Sequence, residues 1–245
     1  MKGVESGYGA SIGMITFKPK YPALIKGHTS NALTYKFPIL FKMVDLSTLD
    51  SVITPEPNYS SLPMYIQAAK ELEEEGVKAI TTNCGYLVFY QEKLSEAVNV
   101  PVFTSSLLQV PLVYRSLKRG KKVGIICANS EYLTKKHLEC AGIDESIPIA
   151  IAGMEKSREF WASIKEPLDP VNWKFSGDFK KVEKEVVDIA ERLVRENPDV
   201  GAIVCECTEL PLYSFAIQEA TNLPVFDMVT LVNYIYDAVM KEHHV

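Results

Sequence analysis

The chain contains one segment twice. Residues 79–108 align without a gap with residues 202–231, and 12 of the 30 aligned positions are identical, where chance pairing of ordinary compositions gives about two. One identical pair is Cys84 and Cys207. Two related halves can face each other across a cleft. The repeat therefore predicts two cysteines on opposite sides of one binding site.

Short apolar runs alternate with amphipathic stretches along the chain, which is the pattern of an α/β protein with parallel strands. Buried strands are predicted at 11–17, 76–82, 122–127 and 201–205, and helices at 65–75 and 180–196. The run at 12–15 resembles the run at 123–126, so each half is expected to begin with an equivalent strand. The predicted fold is α/β, with two pseudo-symmetric Rossmann-like lobes that have parallel sheets and a cleft between them.

The repeat also suggests where the two lobes divide. Residues 1–107 plus about 225–245 are predicted to form the N-terminal lobe, and residues 108–224 the C-terminal lobe. Two regions, 18–63 and 153–177, look irregular. They are expected to cap the cleft edge or cover sheet ends, or else to have a functional role.

Composition narrows the class of partner. Apolar residues make up 47% and charged residues 23% of the chain, and its net charge is −5. No segment is apolar over the roughly 18 residues that span a bilayer, and no long basic stretch predicts nucleic-acid binding. The five cysteines form no C-x-x-C pair, which favours reduced thiols. We expect a cytoplasmic protein whose partners are small metabolites, with neither nucleic acid nor membrane.

Both repeated cysteines follow a predicted strand and precede a helix-forming segment. This position is the carboxyl edge of a parallel sheet, where ligands usually bind, and where backbone N–H groups lower the pKa of a thiol. Because Glu209 disfavours a second negative charge beside Cys207, Cys84 is predicted to rest as a thiolate and Cys207 as a thiol. Cys84 or Cys207 is predicted to react with iodoacetamide before the other three cysteines. Neighbouring side chains at the two turns are the candidates for substrate binding and support: Asn83, Gly85, Tyr86, Thr208 and Glu209. Cys127, Cys140 and Cys205 are expected to be structural, and no spacing predicts a metal site.

The turns resemble the aspartate/glutamate racemase superfamily. The resemblance rests on the segments TTNCGY at 81–86, PVFTSS at 101–106 and ECTELP at 206–211. The superfamily includes amino-acid racemases, hydantoin racemase, maleate isomerase and arylmalonate decarboxylase. This chain departs from the familiar pattern at Glu206, where those racemases have a glycine.

The resemblance implies a cofactor-independent racemase or epimerase in which Cys84 and Cys207 are the catalytic pair. One thiolate would remove the proton next to a carboxylate or carbonyl, and the other thiol would return a proton to the opposite face. The implied substrate is an amino acid such as aspartate or glutamate. Ser105, Ser106 and Thr16 join the expected binding and supporting residues, and the expected assembly is a homodimer.

Other readings remain open from the sequence. The same fold could serve a hydantoin racemase, a maleate cis–trans isomerase or an arylmalonate decarboxylase-like enzyme. A protein of another class, a two-lobed small-molecule binding protein without turnover, also fits the repeat.

Overall fold

The computed structural model describes residues 9–17, 25–45, 52–165 and 178–241. In these residues eight strands form two four-stranded sheets, and every recorded strand pair is parallel. The first sheet has the order β2-β1-β3-β4 and the second the order β6-β5-β7-β8. The strands are β1 Ile12–Phe17, β2 Ile39–Val44, β3 Ala79–Thr82, β4 Val102–Phe103, β5 Lys122–Cys127, β6 Ile149–Gly153, β7 Val200–Cys205 and β8 Val225–Phe226. The predicted α/β fold with two related lobes is confirmed.

Eight α-helices connect and cover the described strands. They are α1 Leu62–Glu74, α2 Gln91–Ala97, α3 Val110–Ser116, α4 Lys135–Cys140, α5 Arg158–Lys165, α6 Phe179–Glu196, α7 Ser214–Thr221 and α8 Met228–Val239. None of the helices in the described part of the chain is long and apolar enough to span a bilayer.

The equivalence of the two halves extends to their central strands. Gly13 in β1 lies opposite Ile80 of β3, and Gly124 in β5 lies opposite Ile203 of β7. A β-carbon on Gly13 would lie 2.9 Å from the side chain of Leu72 in α1, and one on Gly124 would lie 3.0 Å from Leu193 in α6. Each glycine thus lets the helix that packs on it approach the sheet closely. The predicted equivalence of these strands is confirmed.

Helices α1 and α6 bury one face each because their apolar residues recur at helical spacing. In α1 the buried positions are Tyr65, Ala68, Ala69 and Leu72, and in α6 they are Val182, Val186, Ala190 and Leu193. Asp178 begins α6, since its carboxylate accepts hydrogen bonds from the N–H groups of Lys180 and Lys181.

The end of the chain contributes to both sheets. Strand β8 pairs with β7 in the second sheet, whereas α8 packs its buried face against Ile12 and Met14 of the first sheet. Val225 and Phe226 therefore form an edge strand of the second sheet. The last described helix, α8, covers the first sheet. The division of the chain into lobes at 107/108 and near 224/225 otherwise stays a prediction.

The two regions expected to be irregular contain regular elements. The first holds the edge strand β2, and the second holds α5, on which Trp161 donates its ring N–H to Met154 O at 2.9 Å. Strand β6 was not predicted either. Residues 18–24, 46–51 and 166–177 of these regions lie outside the described residues.

Candidate active site

The two repeated cysteines occupy equivalent turns. Strand β3 ends at Thr82, and Cys84 immediately precedes a 3-10 turn over Gly85–Tyr90. Strand β7 ends at Cys205, and Cys207 precedes the 3-10 turn Leu210–Tyr213. The strand-to-helix position predicted for both thiols is thus observed.

Hydrogen bonds across the halves hold the turns together. Thr208 Oγ1 donates to the backbone oxygen of Asn83 at 2.8 Å. Ser106 Oγ donates to Cys205 O at 2.7 Å, and Tyr86 OH donates to Asn129 O at 2.6 Å. The carboxyl ends of the two sheets therefore face one another.

A small cavity of about 40 Å³ lies between the turns, and we call it the cysteine cavity. Its volume is near that of one or two water molecules, so a substrate with several heavy atoms requires the walls to move apart. The described residues that line it are Phe17, Ile53, Asn83, Cys84, Gly85, Tyr86, Ala128, Ile164, Glu206, Cys207, Thr208 and Glu209. Asn83 Oδ1 is buried and has no hydrogen-bond partner among the described residues, which leaves an acceptor in this wall.

Seven of the ten predicted site residues line the cysteine cavity, and three do not. Ser105 is buried, and its hydroxyl accepts the N–H of Leu107 at 3.2 Å. The Ser106 hydroxyl binds backbone oxygens, and Thr16 Oγ1 donates to Phe17 O at 3.2 Å. Each of these hydroxyls makes a hydrogen bond within the fold, and substrate contacts by the three residues stay a prediction.

The ionisable side chains that line the cavity are acidic groups, tyrosine and cysteine, and none of the described lining residues is Lys, Arg or His. Glu206 is only 1% exposed, and its Oε2 accepts the N–H of Ala128 at 3.2 Å. Burial raises the pKa of Glu206 to about 8. The cavity therefore combines two thiols with a buried carboxyl group.

Glu209 is held by a histidine from the N-terminal half. His28 Nδ1 accepts the N–H of Ser30 at 2.9 Å, so Nε2 carries the hydrogen that bonds to Glu209 Oε1 at 2.9 Å. The Thr29 hydroxyl adds a bond to Thr208 O at 3.0 Å. The segment around His28 thus fixes the turn that carries Cys207.

The structure does not favour the predicted thiolate at Cys84. Backbone N–H groups of Tyr86 and Leu87 do point at its sulfur and lower the pKa, but burial and Glu206 outweigh them and raise it to about 12. Burial, Glu206 and Glu209 likewise raise the pKa of Cys207 well above its ordinary value. Both thiols therefore rest protonated at neutral pH.

Residues 37–232 match the model of the Asp/Glu/hydantoin racemase family. The chain belongs to this family. The resemblance drawn from the two cysteine turns is thereby confirmed.

Curated relatives of this family member include lyases. A dimethylsulfoniopropionate lyase from Durusdinium sp. clade D is 28% identical over 232 residues, which cover 92% of this chain and 73% of that protein. Dimethylsulfoniopropionate lyase 3 from Emiliania huxleyi (strain CCMP1516) is 29% identical over 238 residues, which cover 94% of this chain and 60% of the relative. The chain thus spans about three fifths of that second relative.

Several solved structures share this fold. Unliganded arylmalonate decarboxylase aligns with a TM-score of 0.59 at 14% identity, covering 96% of this chain and 94% of that one. An aspartate racemase homologue from Pyrococcus horikoshii OT3 aligns with a TM-score of 0.57 at 20% identity, covering 94% and 99%. These likenesses concern the fold alone.

The sequence did not single out several residues of the site. Glu206 was noted only as a departure from the family's glycine, although its alignment with Asn83 in the repeat places it at the same point of its turn. His28 lies in no repeated segment and reaches Glu209 only through the fold. Phe17, Ile53 and Ile164 carry no chemical signal in the sequence.

Among the cysteines, we expect Cys140 to react first with iodoacetamide. It is exposed, whereas Cys84 is buried and Cys207 half-buried, and the thiolate fraction falls tenfold for each unit by which a pKa rises. Cys84 should be at least about tenfold slower. Peptide mapping after brief labelling measures this order, and a protein labelled first at Cys84 would contradict the raised pKa.

Gly85 is expected to tolerate no side chain. A β-carbon there would lie 2.3 Å from Glu206 Oε1 and 2.5 Å from Glu206 O, and the backbone atom cannot rotate away. We expect Gly85→Ala to lower the free energy of unfolding by about 2–4 kcal/mol.

Urea unfolding of Gly201→Ala provides the control, since its nearest neighbours are side chains of Leu117 and Lys121 at 3.2 Å or more. That variant should lose less than half as much stability. Equal losses in the two variants would show that Glu206 does not lie against Gly85.

Proposed function

We propose that the protein removes a proton from the carbon α to a carboxylate and expels a substituent from the β carbon, with Cys84 or Cys207 as the base. The observation that carries this proposal is the cysteine cavity itself, in which two thiols from equivalent turns share one wall with a buried carboxyl group. A thiol is a competent general base once it is deprotonated.

The proposed step is a β-elimination. A thiolate takes the α-proton and becomes a thiol, and the electron pair of the broken C–H bond forms the double bond between the α and β carbons. The bond from the β carbon to its substituent breaks, and the substituent leaves with that electron pair. From dimethylsulfoniopropionate this step gives acrylate and neutral dimethyl sulfide.

Charge in the cavity supports a substrate that carries a cation. Aspartate and glutamate carry two carboxylates and one ammonium group and so keep a net negative charge, and the described lining residues offer the second carboxylate no Lys, Arg or His while presenting Glu206 and Glu209. A sulfonium carboxylate has one carboxylate and one positive charge and is neutral overall, and its cation is favoured by Glu206, whereas Glu209 already bonds to His28. The similarity to dimethylsulfoniopropionate lyases over more than 90% of this chain agrees with this choice.

A second candidate is inversion at the α carbon, as in an amino-acid racemase. The observation that favours it is the origin of the two thiols in opposite halves, since inversion needs a base on one face and an acid on the other. In this candidate the second thiol returns a proton before any substituent leaves. Neither candidate requires a cofactor, and we expect the protein to act as a homodimer.

The test is to incubate the protein separately with dimethylsulfoniopropionate and with each enantiomer of aspartate and glutamate. Proton NMR should detect acrylate and dimethyl sulfide from the first substrate, and chiral chromatography should find the amino acids unchanged. Loss of optical purity in an amino acid without acrylate formation would favour the second candidate. No change in any substrate would contradict both.

A further inference from the structure

The proposed elimination leaves Glu206 without a role. Its side chain is almost completely inaccessible and lines the cavity next to both cysteines. Among the described residues its carboxyl group has one hydrogen bond, from the N–H of Ala128, and no ion-pair partner. An ionised carboxylate offers about four acceptor positions, so most of this capacity is unused.

A buried carboxyl group without a partner is destabilising when charged, and the fold makes specific room for it. A β-carbon at Gly85 would collide with both Glu206 Oε1 and Glu206 O. The Ser106 hydroxyl, which donates to Cys205 O at 2.7 Å and lies 3.3 Å from Glu206 O, fixes the backbone beneath it. The carboxyl group is therefore held in the cavity wall, at a position where a glycine would leave space.

We propose that the Glu206 carboxylate is a specificity-determining group that binds the positive charge of the substrate. It would select carboxylates with a sulfonium or alkylammonium group on the β carbon over neutral acids of the same shape. This inference rests on the proposed function, which places the reacting carbon between that cation and the substrate carboxylate. A buried, otherwise unpaired carboxylate gains most from a cation, because no bulk water screens the pair.

Cation binding at Glu206 also prepares the base. Where Glu206 is ionised, its charge raises the pKa of Cys84 and of Cys207, and a substrate cation paired with it offsets that rise. A substrate cation close to the thiols acts in the same direction. The substrate that the cavity selects is thus the one that makes a thiolate available for proton removal.

The groups that face Glu206 leave its charge uncompensated. From the β3 turn these are Cys84 and Tyr86, from β5 Cys127, and from β7 and its turn Cys205 and Cys207; the charge of Glu206 raises the pKa of each. All five are neutral in their protonated forms. Among the described residues no cation competes with the substrate for this carboxylate.

The test compares two probes that differ only in charge. Protonated 3-(dimethylamino)propanoate and 4-methylpentanoate have the same shape and the same carboxylate, and their dissociation constants can be measured by calorimetry. At about pH 9, where Glu206 is ionised, we expect the parent to bind the cation at least about tenfold more tightly, and Glu206→Gln to abolish most of that preference. Gln keeps an oxygen for the Ala128 N–H, so the variant changes charge with little change of shape.

Glu209→Gln is the matched control, because it removes a second cavity carboxylate that already has a partner in His28. It should change the preference less than about threefold. An unchanged preference in Glu206→Gln, equal losses in both variants, or failure of the parent to prefer the cation would each overturn the inference.

A measurement on the parent alone covers the case in which Glu206→Gln does not fold. Since the pKa of Glu206 is about 8, affinity for the cationic probe should rise between about pH 6 and about pH 9, whereas affinity for the 4-methylpentanoate anion should not rise. A flat profile for the cation would also overturn the inference. Neither probe contains a sulfonium, so a preserved preference without acrylate formation would refute the proposed elimination and leave this inference standing.

Discussion

Cys84→Ala and Cys207→Ala are expected to lose activity unequally. In an elimination only the thiol that removes the proton is essential, so one variant should lose about 10³-fold or more in kcat, and the other should lose far less. Inversion needs both thiols, and both variants would then lose optical inversion to a similar extent. The pair of variants therefore distinguishes the two candidate reactions as well as testing the site.

Cys127→Ala is the matched control for these variants. Cys127 is also buried and also lies close to Glu206, yet it does not line the cysteine cavity. Steady-state rates with dimethylsulfoniopropionate should stay within about threefold of the parent, as expected for a residue outside the reaction. Near-parental rates in both Cys84→Ala and Cys207→Ala would contradict thiol catalysis.

Glu206→Gln should become more stable relative to the parent as pH rises. The pKa of Glu206 is about 8 in the folded protein, against an ordinary value of 4.5. Between these values the folded state holds a proton that the unfolded state releases, so the free energy of unfolding of the parent falls as pH rises through this window and levels off above it. Gln has no such proton, and the difference should grow by on the order of 3 kcal/mol between about pH 5 and pH 8.

Urea unfolding at these two pH values measures the effect. Gly201→Ala serves as the control, since it changes no ionisable group, and its difference from the parent should stay nearly constant. A Glu206→Gln difference that does not change with pH would show that the buried carboxyl group ionises as freely as an exposed one.

The repeat allowed much of the fold to be predicted. Alignment of the halves placed Cys84 and Cys207 at equivalent turns, and the Gly13 and Gly124 runs identified the equivalent strands that the sheets contain. These features depend on local sequence and on the periodicity of apolar residues, both of which are visible in the sequence. The edge strands β2 and β6 were missed because one lies in a proline-rich region and neither belongs to the repeated segment.

The electrostatics of the site could not be predicted in the same way. A strand-to-helix turn alone favours a thiolate, and the N–H groups at Cys84 act as expected. The pKa of Cys84 is nevertheless raised, because the thiol is buried where the two halves meet and because Glu206 lies near it. Glu206 belongs to a turn 122 positions away in the sequence. The contact of His28 with Glu209 joins residues that are 181 positions apart. Both contacts are made between the two halves of the folded chain, so no local pattern in the sequence predicts them.

The most direct test of the account is proton exchange next to the substrate carboxylate. The parent protein is incubated in D₂O with dimethylsulfoniopropionate, and the α-hydrogens are followed by proton NMR. We predict that their signal disappears, through deuterium exchange or acrylate formation, and that Cys84→Ala or Cys207→Ala abolishes this loss. Folded parent protein that leaves the α-hydrogens of this acid and of the aspartate and glutamate enantiomers untouched would contradict proton abstraction at the cysteine cavity.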